Sequence, residues 1–170
     1  MSYEDLVQLA IRAMTRAIVV YGKQVGAAVR MKDGTVIQGF NIENKSYKGY
    51  HAEEVAVISA LKMGYTGNDF ESIAIVCSFK GLYPACGHCR QMLWEYTNPD
   101  LIIIAYDLES AMGQSFVLKD LYPFPYPLSE SIKTIEPSAP VKVDEVDKGE
   151  GEGVVEGNVI SDVQSGMQEG

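Results

Sequence analysis

The chain has 170 residues, 46% of them hydrophobic, and a formal net charge of −9, a composition that suits one soluble domain with a buried core. No apolar run is long enough to span a membrane, and the first residues, which include Glu4 and Asp5, are acidic where a secretory signal is basic. The basic stripe that nucleic-acid binding requires is also missing from the sequence. We therefore expect a cytoplasmic protein that binds neither membranes nor polynucleotides.

The negative charge is concentrated near the C-terminus. Residues 130–170 contain ten Asp and Glu against three Lys and Arg, which gives −7 and leaves −2 for the first 129 residues. From Ser138 onward the chain contains no Leu and no aromatic residue. We predict a folded domain over residues 1–130 and an acidic, disordered tail over residues 131–170, with solubility as its role and partner binding as the alternative.

The first predicted elements are a helix and a hairpin. Ser2 and Asp5 form a capping-box pattern, and apolar residues follow at helical spacing from Leu6 to Ile18. Residues 25–31 and 35–40 are short apolar segments separated by a Lys-Asp-Gly turn signal. Two antiparallel strands are therefore predicted after the first helix.

Helical and strand patterns then alternate. We predict a helix over about residues 52–63 that ends at Gly64, a strand over 72–77, a helix over 87–96 and a strand over 101–106. Helices placed between strands imply crossover connections. The predicted fold class is therefore α/β, with a mixed sheet that has helices on both faces.

Two short motifs carry the chemistry, namely His51-Ala52-Glu53 and Cys86-Gly87-His88-Cys89-Arg90-Gln91. Each motif begins a predicted helix, so the first-turn side chains of the two helices can converge on one metal ion. His51, Cys86 and Cys89 supply three ligands of the kind that zinc prefers, and a helix start favours thiolates. A fourth position stays open for a water molecule of lowered pKa. Glu53 is left as the group that transfers protons.

Each motif has a simpler interpretation when it stands alone. An isolated H-x-E sequence is common, and a Cys-x-x-Cys sequence also occurs as a redox pair. Cys77 is expected to be a small core residue, and His88 is expected to point away from the cysteines. If either supplied a fourth ligand, the site would be a non-catalytic zinc module rather than an enzyme site.

The chain resembles the cytidine deaminases, zinc-dependent nucleoside deaminases, over roughly residues 5–125. Four motifs of that family occur in order: Val25-Gly26-Ala27-Ala28, Asn41-Ile42-Glu43-Asn44, and the two motifs at His51 and Cys86. The combination of H-x-E and C-x-x-C is a signature of zinc nucleobase deaminases. One departure is that the family places proline directly before the first cysteine, where this chain has Ala85.

The resemblance implies a three-layer α/β/α fold with a mixed sheet of about five strands. It implies one zinc ion per chain, hydrolytic deamination of cytidine and deoxycytidine, and contacts from Asn41 and Glu43 to the ribose. It also implies a homo-oligomer, with a tetramer favoured over a dimer. The alternative substrates are blasticidin S and deoxycytidine monophosphate.

Overall fold

The structure, a computed structural model, describes residues 2–126 of the chain. The predicted acidic tail over residues 131–170 lies outside the described residues, so the predicted domain boundary stays a prediction. The helices are α1 (Tyr3–Met14), α2 (Ala52–Lys62), α3 (Gly87–Tyr96) and α4 (Leu118–Leu121). The strands are β1 (Val25–Met31), β2 (Val36–Phe40), β3 (Ile42–Glu43), β4 (Gly49–Tyr50), β5 (Phe70–Cys77), β6 (Ile102–Asp107) and β7 (Met112–Val117).

The main sheet has five strands in the order β2-β1-β5-β6-β7. Strands β5 and β6 are parallel because α3 connects them, and the other neighbouring pairs are antiparallel. The prediction of a mixed sheet of about five strands is confirmed. Strand β7 was not predicted individually, and neither was the separate two-stranded ribbon of β3 and β4.

Helices cover both faces of this sheet, which confirms the three-layer prediction. Helix α1 packs on one face through a buried apolar cluster, and α2 and α3 pack on the other face through a larger one. Gly39 in β2 lies against the backbone of α2, where a Cβ atom would clash with Ala52 and Ala56. The absence of a side chain there lets the first turn of α2 sit close to the sheet.

Helix α1 begins as predicted and ends earlier than predicted. The Ser2 hydroxyl accepts the Asp5 N–H at 3.2 Å, and the Asp5 carboxylate accepts the Ser2 N–H at 3.0 Å, so the capping box is formed. The helix stops at Met14, and the predicted extension to Ile18 is wrong. Ile18 instead forms a parallel bridge with Ile42, a long-range contact that outweighs the helical spacing.

Two other boundaries agree closely with the sequence. Helix α3 spans the predicted residues 87–96, and α2 ends just before Gly64, which has a left-handed φ of 94°. Within residues 2–126, no helix has the length and apolar character needed to cross a membrane.

Candidate active site

The three predicted metal ligands lie together where α2 and α3 begin. His51 is the N-cap of α2, Cys86 is the N-cap of α3, and Cys89 follows in the first turn of α3. The Nδ1 atom of His51 is 3.4 Å from Cys86 Sγ and 3.2 Å from Cys89 Sγ. All three donor atoms lie within 4.8 Å of one another. The arrangement therefore forms one compact donor set.

This donor set fits a tetrahedral zinc ion. Standard Zn–S and Zn–N bond lengths place a nitrogen and a sulfur about 3.6 Å apart on the edge of a tetrahedron. The two nitrogen–sulfur distances are slightly shorter than that edge, so small side-chain movements suffice to hold the ion. Among the described residues, neither Cys77 nor His88 belongs to this donor group. A zinc ion held by these three donors alone would have one tetrahedral position open.

Burial and the helix start act in opposite directions on Cys89. This residue is fully buried, and burial raises the pKa of its thiol, with a further increase from the nearby Glu53 carboxylate. The start of α3 favours the thiolate. The expectation that Cys89 is held as a thiolate therefore stays a prediction, and a bound divalent cation would favour it further, with release of the Cys89 proton on binding.

Glu53 lies in the first turn of α2 and is 1% exposed. Its Oε1 atom has no hydrogen-bond partner among residues 2–126. Burial raises the pKa of this carboxyl group above its ordinary value. A buried carboxylate oxygen without a partner is costly, and here it borders a cavity next to the donor set. The geometry suits a group that exchanges protons with a ligand.

The cavity has a volume of about 220 Å³. Its walls come from the segment before β1, from the β3–β4 ribbon, from the start of α2 and from the loop before α3. The lining residues are Gly22, Lys23, Val25, Asn41, Glu43, Gly49, Tyr50, His51, Ala52, Glu53, Phe79 and Tyr83. Every predicted site residue except the two cysteines therefore lines this cavity, and the cysteines lie at its edge beside His51.

Asn41 and Glu43 also hold the chain segment at the mouth of the cavity. Asn41 Oδ1 accepts the Val25 N–H at 2.8 Å, and Asn41 Nδ2 donates to the Lys23 carbonyl at 2.9 Å. Glu43 Oε2 accepts three successive backbone N–H groups, from residues 20, 21 and 22, at 2.8, 2.8 and 3.0 Å. These bonds lower the pKa of Glu43, with the bond from Tyr21 contributing most. Both side chains thus have a structural task that the sequence did not indicate.

Sequence reasoning missed the aromatic wall formed by Tyr50, Phe79 and Tyr83. Burial, followed by the neighbouring charges of Cys86 and Glu53, raises the pKa of Tyr83 to about 12. The Tyr83 side chain therefore keeps its proton at neutral pH, and a protonated hydroxyl is a hydrogen-bond donor. The sequence feature that could have indicated this wall is the presence of two aromatic residues, Phe79 and Tyr83, in the short loop between a predicted strand and the Cys-x-x-Cys motif.

The residue before the first cysteine has an unusual backbone. Ala85 is buried and has a φ of 69°, which is in the left-handed region. The preceding carbonyl, that of Pro84, accepts a hydrogen bond from Arg90 Nε at 3.4 Å. This backbone turn brings Cys86 to the start of α3.

Comparisons with known proteins agree with this geometry. Residues 1–105 match the sequence model of the cytidine and deoxycytidylate deaminase zinc-binding region. A cytidine deaminase from Halalkalibacterium halodurans is 38% identical over 125 residues, which is 72% of this chain and 92% of that protein. A cytidine deaminase from Sporosarcina psychrophila is 33% identical over 121 residues, or 70% of this chain and 88% of that protein.

Crystal structures of cytidine deaminases are also similar to this chain. The crystal structure of cytidine deaminase from Burkholderia pseudomallei has a TM-score of 0.70 and 34% identity, with 74% of this chain and 100% of that chain covered. The cytidine deaminase from Mycobacterium tuberculosis has a TM-score of 0.63 and 32% identity, with 75% and 99% covered. The resemblance inferred from four motifs is therefore confirmed, and the chain belongs to the cytidine and deoxycytidylate deaminase family.

Proposed function

We propose that this chain is a zinc-dependent hydrolase that converts cytidine and deoxycytidine to uridine and deoxyuridine with release of ammonia. The observation that carries the proposal is the buried, unpartnered Oε1 atom of Glu53 beside the His51, Cys86 and Cys89 donors. The named activity of the relatives supports the choice of substrate. One zinc ion per chain is held by the three donors.

In the proposed reaction, His51, Cys86 and Cys89 would hold the zinc ion, which when bound would activate a water for attack on C4 of the pyrimidine. Glu53 accepts a proton from this water and passes it to ring nitrogen N3 as the new C–O bond forms. Glu53 then removes the remaining proton from the hydroxyl group on C4 and delivers it to the amino group, so that the C4 carbonyl forms, the C–N bond breaks and ammonia leaves. Burial raises the pKa of Glu53 above its ordinary value, which brings the carboxyl group closer to the pH at which it must both accept and donate a proton.

We assign the sugar to the side of the cavity that Asn41 and Glu43 form, away from the zinc donors. Asn41 and Glu43 hydrogen-bond the ribose hydroxyls with the donor and acceptor capacity that their backbone contacts leave free. Glu43 Oε1 takes part in none of the three backbone bonds made by Oε2 and is the candidate acceptor. A carboxylate at this point repels a phosphate group, which favours a nucleoside over deoxycytidine monophosphate.

We also expect a cytoplasmic homo-oligomer, with a tetramer favoured over a dimer. Light scattering coupled to gel filtration measures the mass of the assembly. A monomer in solution would contradict this part of the proposal.

The test is ultraviolet absorbance of zinc-loaded protein mixed separately with cytidine, deoxycytidine, deoxycytidine monophosphate and blasticidin S, with ammonia measured in parallel. Loss of the cytidine signal with one ammonia per substrate supports the proposal, provided that a chelator abolishes the reaction and added zinc restores it. Turnover of only the nucleotide or only blasticidin S would replace the proposed substrate. No turnover of any of the four, with zinc bound, would favour a non-catalytic zinc module.

A further inference from the structure

A polar bridge joins the first turns of α2 and α3 beside the donor set. Glu54 Oε2 accepts the backbone N–H of His51 at 2.7 Å. The other carboxylate oxygen of the same residue, Oε1, accepts a hydrogen bond from His88 Nε2 at 2.9 Å. One carboxylate therefore connects a metal ligand on α2 to the residue that lies between the two metal ligands on α3.

We propose that Glu54 and His88 act as positioning residues that fix the distance between His51 and the Cys86–Cys89 pair before the metal binds. Neither residue belongs to the donor group itself. Their hydrogen bonds span the gap that zinc must bridge, so they set the separation of the two helix starts. This inference rests on zinc binding at the proposed site and is independent of which pyrimidine is the substrate.

Two observations support a positioning role over an incidental surface contact. The Glu54 side chain is only 16% exposed, although its partner His88 is 64% exposed. The His51 and His88 rings also meet edge to face, with centroids 5.6 Å apart. The bridge thus contacts both the backbone and the ring of a ligand residue.

Preorganisation of this kind changes metal affinity. Without the bridge, the two helix starts can separate, and zinc must then restore their spacing at the expense of its binding free energy. Loss of groups that orient metal ligands typically lowers affinity about 10-fold to 100-fold. We expect His88→Ala and Glu54→Ala each to weaken zinc binding by at least about tenfold.

The experiment measures the zinc dissociation constant of the full chain by competition with a chromophoric chelator, together with the melting temperature of the metal-free protein. The variants are His88→Ala, Glu54→Ala and the double variant. The matched control is Lys119→Ala, which removes a surface ion pair of 2.7 Å with Asp100 that shares no residue with the site. His88→Ala keeps the test possible if Glu54→Ala fails to fold, because His88 is exposed and leaves the bond to His51 intact.

The expected result is weaker zinc binding in both single variants and a double variant no weaker than Glu54→Ala, because both changes break the same bridge. Lys119→Ala is expected to bind zinc as the wild type does. Unchanged zinc affinity in His88→Ala, or fully additive losses of affinity in the double variant, would refute the positioning role of the bridge. Neither result would contradict the proposed enzyme activity. A lower melting temperature with unchanged zinc affinity would also refute the positioning role. A wild-type chain that binds no zinc would refute the proposed function as well.

Discussion

Replacing Glu53 with glutamine is the most direct test of the assigned proton transfer. The glutamine side chain has nearly the same shape as that of Glu53, and it cannot accept and return a proton at neutral pH. The fold should tolerate the change, because the wild-type carboxylate is 1% exposed and burial disfavours its charge. The zinc ligands are not altered, so the metal should remain at one ion per chain.

The expected loss of turnover follows from the surroundings of Glu53. Glu43 is the other carboxylate that lines the cavity, and three backbone N–H groups hold it on the sugar side. Glu54 also lies beside the zinc donors, but it does not line the cavity, and its two oxygens are bonded to the His51 N–H and to His88. General acid–base catalysis contributes about 10² to 10⁴ in rate, and we expect kcat to fall by about 10³, equivalent to about 4 kcal/mol in activation free energy.

The assay is steady-state deamination of cytidine, with zinc content measured on the same samples. Glu4→Gln is the matched control, because Glu4 lies on α1 against the opposite face of the sheet. The control should retain full activity. A Glu53→Gln enzyme that keeps its zinc and loses less than about tenfold in kcat would refute the role of Glu53. Loss of zinc in this variant would instead show that Glu53 contributes to metal binding.

Three further changes test the sugar contact, the stability of the fold and the backbone before the first cysteine. Glu43→Gln should raise KM for cytidine about tenfold with little change in kcat, because the substitution weakens binding of the substrate and of the transition state alike. A fall in kcat with unchanged KM would contradict the proposed contact to the sugar. Asp107→Asn should lower the melting temperature at pH 7, because hydrogen bonds, first from Ser110, lower the pKa of Asp107 below its ordinary 3.8. That stabilisation is present above pH 3.8 and lost as the pH falls through the lowered folded-state value, so a difference that did not shrink as the pH fell below 3.8 would contradict it. Ala85→Pro should impair zinc binding, because proline cannot adopt a φ of 69°. Ala85→Gly, in contrast, should change the free energy of unfolding by less than about 1 kcal/mol. Normal zinc binding by the proline variant would show that the loop has another accessible conformation.

The parts of the fold that sequence predicted well are those with local signals. The capping box at Ser2 and Asp5 defines the start of α1, and the Cys-x-x-Cys motif coincides with the start of α3. The zinc donors could be identified because ligand chemistry restricts the residue types and because each motif begins a helix. These signals lie within a few residues of one another, so no knowledge of tertiary contacts was needed.

The parts that were missed depend on contacts distant in sequence. Strand β7 has the sequence MGQSFV, with four exposed residues and no clear alternation, and it is a strand because β6 pairs with it. Ile18 leaves the helical pattern because Ile42 is available as a partner. Likewise, Glu43 reaches back across more than twenty residues to hold the segment from Val20 to Gly22.

The position of Glu53 follows from a local sequence signal, whereas its burial depends on contacts that are distant in sequence. Its position two residues after His51 marked it as a carboxylate outside the metal shell, and that inference needed only the helical geometry of the motif. Its fully buried, partly unsatisfied state requires the sheet below α2 and the loop before α3, which the motif does not encode. An unpaired buried carboxylate opposes folding, and a protein retains such a group where function gives a compensating advantage. The same burial that makes Glu53 unfavourable for stability raises its pKa, and a raised pKa suits the role proposed for this side chain, which is to take a proton from water and return it to the substrate.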